Sequence, residues 1–142
     1  MTLQLVVRSV ACPFLLLAIL CVTAGCVVEP LNIKDAPVKT LSGNGLTLNQ
    51  VTKAIVLAGM GLKWEMDPIQ PGHILGTLNL RSHQAVVDIT YNTSTYNIAY
   101  KSSKHLMTRN EDGTPVGIHP NYNGWIENLD NAIRTQFIAE DK

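Results

Sequence analysis

Gln84-Ala85-Val86-Val87-Asp88-Ile89-Thr90-Tyr91 is the stretch whose reading decides the fold. In an extended chain Ala85, Val87, Ile89 and Tyr91 share one face, and Val86, Asp88 and Thr90 share the other. One apolar face and one mixed face mark a half-buried strand of an antiparallel sheet. The neighbours repeat the pattern. His73 to Leu80 reads as a strand with Ile74, Leu78 and Leu80 inward, joined to the first by a turn at Arg81-Ser82. Beyond the turn Asn92-Thr93-Ser94, Thr95 to Lys101 alternates with Tyr96, Ile98 and Tyr100 on one side. Upstream, Leu62 to Asp67 alternates apolar with charged residues, with Trp64 inward, and is ended by Pro68 and turned by Pro71-Gly72. Links this short join antiparallel neighbours, so the four strands predict a meander.

A helical period flanks the strands on both sides. Thr47 followed by Gln50 is a capping box, and Leu48, Val51, Ala54, Ile55 and Ala58 form one apolar stripe after it. Gly59 and Gly61 stop that helix. Residues 102–119 are polar and turn-rich, with Asn110-Glu111-Asp112-Gly113 as their tip. Pro120-Asn121-Tyr122-Asn123 then opens a second helix with Tyr122, Ile126, Leu129, Ile133 and Phe137 on one stripe. Asp130 and Arg134 form an i,i+4 pair elsewhere on its wheel. The expected class is α+β: helix, four-stranded antiparallel β-meander, helix, with both helices on one face of the sheet. The expected single domain spans residues 47–142.

The first 25 residues have a different character. Arg8 is their one charge, an apolar run extends from about Val10 to Val22, and Val22-Thr23-Ala24-Gly25-Cys26 closes it. This is the layout of a signal peptide, too short and too interrupted by Pro13 to read as a spanning helix. Of the three cysteines, Cys12 and Cys21 would leave with the leader, so no disulfide could form within the mature chain. Ala24-Gly25-Cys26 resembles the bacterial lipobox, although Thr23 stands where that motif prefers an aliphatic residue. The resemblance implies lipidation of Cys26, and Val27, in place of aspartate, implies sorting to the outer membrane. The rival is an ordinary cleavage after Ala24 that releases a soluble periplasmic protein beginning at Gly25. Pro30, Pro37, Ser42, Gly43, Asn44 and Gly45 break every short apolar pair in residues 26–46, which reads as a flexible tether.

Loss of Arg8 would leave ten Lys and Arg against eleven Asp and Glu, a net charge of minus one without any basic run. That excludes the charge signature of a nucleic-acid binder. The four histidines, His73, His83, His105 and His119, contain no close-spaced ligand pair, so neither a metal nor another cofactor is expected. No Gly-x-Ser-x-Gly elbow is present. Asp88 reads as a solvated or cross-strand-paired carboxylate rather than a catalytic one.

The densest group of polar and aromatic residues is His119, Asn121, Tyr122, Asn123 and Trp125. In the structural reading Asn121 or Asn123 caps the helix, His119 bonds the preceding loop, and Tyr122 and Trp125 pin the helix start to the sheet. In the functional reading the same residues form a ligand or partner surface at a positive helix terminus, suited to a polar or anionic group such as a glycan or peptide.

Two motifs carry a family resemblance. One is Ala85-Val-Val-Asp-Ile-Thr-Tyr91 with Tyr96-x-Ile98-x-Tyr100 and Ser103-x-x-Leu106. The other is Ile118-His119-Pro120-Asn121-Tyr122-Asn123-Gly124-Trp125-Ile126-Glu127-Asn128-Leu129. Together they resemble a group of small proteobacterial lipoproteins without an assigned activity, from about residue 47 to 137. Pro120 and Gly124 depart from the group's usual pattern. The resemblance implies an envelope location and an α+β domain, and no reaction. The functional expectation is a non-enzymatic binding or assembly component on the periplasmic face of the outer membrane, with an envelope protein or glycan as partner. The alternative is a small envelope hydrolase or glycan-binding module that uses the His119 loop.

Overall fold

The computed structural model describes residues 28–141. The leader, the processing site and Cys26 lie outside them. Seven strands and two helices follow one another: β1 (Ile33–Pro37), α1 (Leu48–Gly61), β2 (Trp64–Gln70), β3 (His73–Leu80), β4 (His83–Tyr91), β5 (Thr95–Lys104), β6 (Met107–Arg109), β7 (Pro115–Ile118) and α2 (Asn121–Ala139). The class is α+β. Its main sheet is antiparallel, five-stranded, and ordered β1-β5-β4-β3-β2. β6 and β7 form a separate hairpin.

β4 is the centre of the main sheet, and its alternation holds. Ala85, Val87, Ile89 and Tyr91 are buried, and they line up with Ile74, Gly76 and Leu78 of β3 and with Tyr96 and Ile98 of β5. Trp64 on β2 is 3% exposed while Lys63 and Glu65 face water. The buried residues of α1 (Val51, Ala54, Ile55, Ala58) and of α2 (Tyr122, Ile126, Leu129, Ile133, Phe137) join this same cluster. Both stripes are therefore spent on one core, whose apolar burial is the main favourable contribution to folding. Close approach is visible at Gly59, where an added Cβ would overlap the side chain of Met66 on β2.

Several expectations are corrected. The meander has a fifth partner: Ile33, Ala36 and Pro37, expected within the flexible tether of residues 26–46, pair with Ile98, Tyr96 and Thr95 at the sheet edge. The alternation was hidden because the register shifts between Ile33 and Ala36, with Asp35 at φ 48°. The main chain there leans on side chains. Asn32 Oδ1 accepts from the Tyr100 N–H at 2.7 Å, and Asn97 Oδ1 from the Asp35 N–H at 2.8 Å. An edge strand also tolerates Pro37, since one side of it lacks a ladder partner. β2 begins two residues later than expected and runs past Pro68, with a register shift between Pro68 and Gln70. Leu80, expected inward, is 44% exposed, because at the end of β3 it lines an open recess and not the packed core. The polar stretch before α2 contains the β6–β7 hairpin, and its tip falls at residues 110–114 as the turn residues predict.

Candidate functional site

The five residues grouped by sequence around His119 do three different things. Tyr122 belongs to the core: it is fully buried, with its ring edge-on to Tyr100 at 5.6 Å. Its hydroxyl meets no hydrogen-bond partner among the described residues, and burial pushes its ionisation well above the ordinary phenol range. Asn123 is a clamp. Its Oδ1 accepts from the Leu31 N–H at 2.8 Å and its Nδ2 donates to the Glu29 carbonyl at 3.0 Å. Val28 continues that contact by exchanging two backbone bonds with Ile118. The N-terminal segment is thereby fastened to the start of α2.

The remaining three, His119, Asn121 and Trp125, line a recess of about 320 Å³ together with Leu80, Arg81, His83 and Leu106. Arg81 and His83 come from the β3–β4 turn, where Leu80 pairs with His83 and Arg81 adopts φ 56°. A left-handed conformation is unfavourable for a side chain with a Cβ. That turn is tied down by His105, whose Nδ1 lies 2.7 Å from the Ser82 carbonyl. The next residue, Leu106, accepts a bond from the His119 N–H at 2.9 Å. His105 and Leu106 thus bond one wall of the recess to the other. The His83 and His119 rings stand 6.4 Å apart, and the half-buried Trp125 also borders a smaller cleft near Trp64.

Neither asparagine caps α2, contrary to the structural expectation. The cap position is Pro120, which makes no side-chain cap bond. The opening N–H groups are satisfied nearby: Asn121 N–H donates to His119 Nδ1 at 3.2 Å, Tyr122 N–H to the His119 carbonyl, and Asn123 N–H to the Pro120 carbonyl. A ligand surface made of free helix N–H groups is therefore absent from these first residues. Because Nδ1 accepts, the neutral imidazole of His119 carries its proton on Nε2.

Two further polar groups were legible only in part. Asp88 is cross-strand paired on the open face of the sheet, 2.8 Å from His73 Nε2 and 3.0 Å from Lys101 Nζ. Partial burial alone would raise its ionisation, but these two bonds outweigh it and hold the carboxyl below its usual range. Asp130, read as part of a surface i,i+4 pair, is 9% exposed. It accepts from the buried Tyr96 hydroxyl and from Arg134 Nε at 2.9 Å. Burial and then this carboxylate push the Tyr96 hydroxyl far above the ordinary phenol range. Among the described residues no three His, Cys, Asp or Glu side chains converge as a metal-ligand group.

Comparison with protein-family models, with curated proteins and with solved structures found no match. The functional reading therefore rests on the chemistry of the chain itself.

Proposed function

We propose that this chain is a lipid-anchored protein of the bacterial envelope, held through Cys26 on the periplasmic face of the outer membrane. In this reading it is a non-enzymatic binding or assembly component. The processing-site pattern at residues 22–26 and the resemblance of residues 85–106 and 118–129 to small lipoproteins support it. The observation that carries it is the apolar run closed by Val22-Thr23-Ala24-Gly25-Cys26, and the pairing of Val28 with Ile118 bears on how an anchored chain would sit. Cleavage before Cys26 would leave every described strand and helix intact, and an anchored Cys26 would run into the folded body within two residues. At about 3.5 Å per residue, roughly 7 Å separates the anchor from Val28 at most. The body would then rest against the membrane surface. Labelled palmitate should enter the wild-type chain, and Cys26→Ser should be unlabelled and leave the membrane fraction. Labelling that survives the substitution removes the proposal, and a soluble form beginning at Gly25 establishes its rival.

The recess favours a second reading, a glycan-binding or hydrolytic module at the His119 loop. Binding is the better supported of these two, because a carboxylate pair for glycoside hydrolysis is missing from the recess lining. Binding of envelope glycan fragments without their cleavage would separate the two.

A further inference from the structure

We infer that the recess between the β3–β4 turn and the start of α2 is a binding site for a phosphate-bearing group. The inference deepens the envelope reading, which bears only on where such a group would come from. The lining is one-sided in its chemistry. Arg81 contributes a guanidinium, His83 and His119 contribute imidazoles, Asn121 contributes an amide, and no carboxylate stands among them. The ion pairs among the described residues use Lys53, His73, Lys101 and Arg134, and leave Arg81 out. A guanidinium presents its donors as a fork that fits two oxygens of a phosphate, which a point charge does not.

The His119 ring and the backbone that carries the other donors are also held in place. His119 Nδ1 is engaged by the Asn121 N–H, which leaves Nε2 as the donor of that ring. The turn that carries Arg81 is bonded through Ser82 to His105, and Leu106 is bonded to His119. The apolar part of the lining, Leu80, Leu106 and Trp125, suits the body that bears the phosphate and lowers the local polarity around the charge. The volume, about 320 Å³, accommodates a phosphate with a glycerol or a single sugar and little more.

The recess and the first described residues are neighbours. His119 follows Ile118, the partner of Val28, and Asn123 on the same helical turn as Asn121 holds Leu31. A headgroup phosphate at the membrane surface and a free phosphate or phosphosugar in the periplasm are therefore both within reach of this chemistry.

The test uses the chain from residue 26 onward with Cys26→Ser, which retains every described residue and carries no lipid. Inorganic phosphate and glycerol phosphate are titrated while backbone and indole N–H resonances are followed. In parallel, vesicles of phosphatidylglycerol and of phosphatidylcholine are sedimented with the protein. The expected result is shifts centred on Arg81, His83, Asn121 and the Trp125 indole, with affinity reduced at least tenfold by Arg81→Gln. Arg81→Lys, which keeps the charge but loses the fork, should fall between the two, and Lys39→Gln, outside the recess, should bind as wild type. Binding to phosphatidylglycerol vesicles alone identifies a lipid headgroup as the source; binding to the soluble phosphates alone identifies a free one. Silence in both arms overturns the proposal, as does a Lys39→Gln loss equal to that of Arg81→Gln. Because the protein tested has no lipid, a failed palmitate labelling leaves this result standing, and a failed titration leaves the anchor standing.

Discussion

The start of α1 is closed by a reciprocal pair of side chains, whereas at the start of α2 the cap residue contributes none and only the His119 side chain, from the loop before it, accepts an opening N–H. At α1, Gln50 Oε1 accepts from the Thr47 N–H at 2.9 Å, and Thr47 Oγ1 accepts in return from the Gln50 N–H. At α2 the cap position is occupied by Pro120, and the polar side chains that follow it turn elsewhere. Asn123 reaches back more than ninety residues to Glu29 and Leu31, and Asn121 faces the recess. α1 uses its start for local order, whereas α2 uses its start to hold the N-terminal segment and to build one wall of the candidate site.

That contrast predicts a graded series. Asn123→Ala should have the largest effect, about 2 kcal/mol in a denaturant titration, because it removes two bonds and leaves the Leu31 N–H unpaired in a half-buried place. Its distinctive readout is hydrogen exchange: the Leu31 and Val28 amides should lose protection while those of α1 keep theirs. Unchanged exchange at Leu31 would show that the clamp holds nothing. Thr47→Ala should cost about 1 kcal/mol, the usual loss of a side-chain cap, and should leave Leu31 as protected as before. A spread of the effect to residues 28–31 would mean that the two helix starts are coupled, and the contrast would be weaker than drawn. Asn121→Ala should have the smallest effect on stability, under about 0.5 kcal/mol, since its side chain faces the recess. Were it to destabilise as much as Thr47→Ala, Asn121 would be holding the helix start after all.

The two helix starts also show how far local pattern reaches. Thr47 and Gln50 are three residues apart, and the spacing alone brings donor to acceptor once the chain turns. His119, Asn121, Tyr122, Asn123 and Trp125 are also close in sequence, but their directions at the start of α2 differ. One points into the core, one toward the N-terminal segment, and three toward the recess. Periodicity placed Tyr122 on the apolar stripe, where it is buried, but could not apportion the other four. Arg81 was read only as a turn residue and His83 only as one of four scattered histidines for the same reason, since nothing near residue 81 announces that the far end of β3 lies beside the start of α2. Asp130 was placed by the wheel off the apolar stripe of α2, and only the position of Tyr96 on β5 makes it a buried acceptor.

What the sequence by itself determined was everything governed by contacts along the chain. The alternation of Gln84 to Tyr91, the stripe from Leu48 to Ala58 and the turn residues at 71–72, 81–82 and 92–94 specify strands, helix and links because each depends on neighbours one to four places away. The tertiary structure decided the rest. Whether Ile33 to Pro37 was a tether or an edge strand depended on β5, sixty residues later, offering Ile98 and Tyr96 as partners. Whether the His119 group was a cap or a site depended on which chain segments lay beside each of its members. Those are questions of long-range packing, in which distant segments compete for the same hydrogen bonds and the same buried surface, and no short window of sequence contains both competitors.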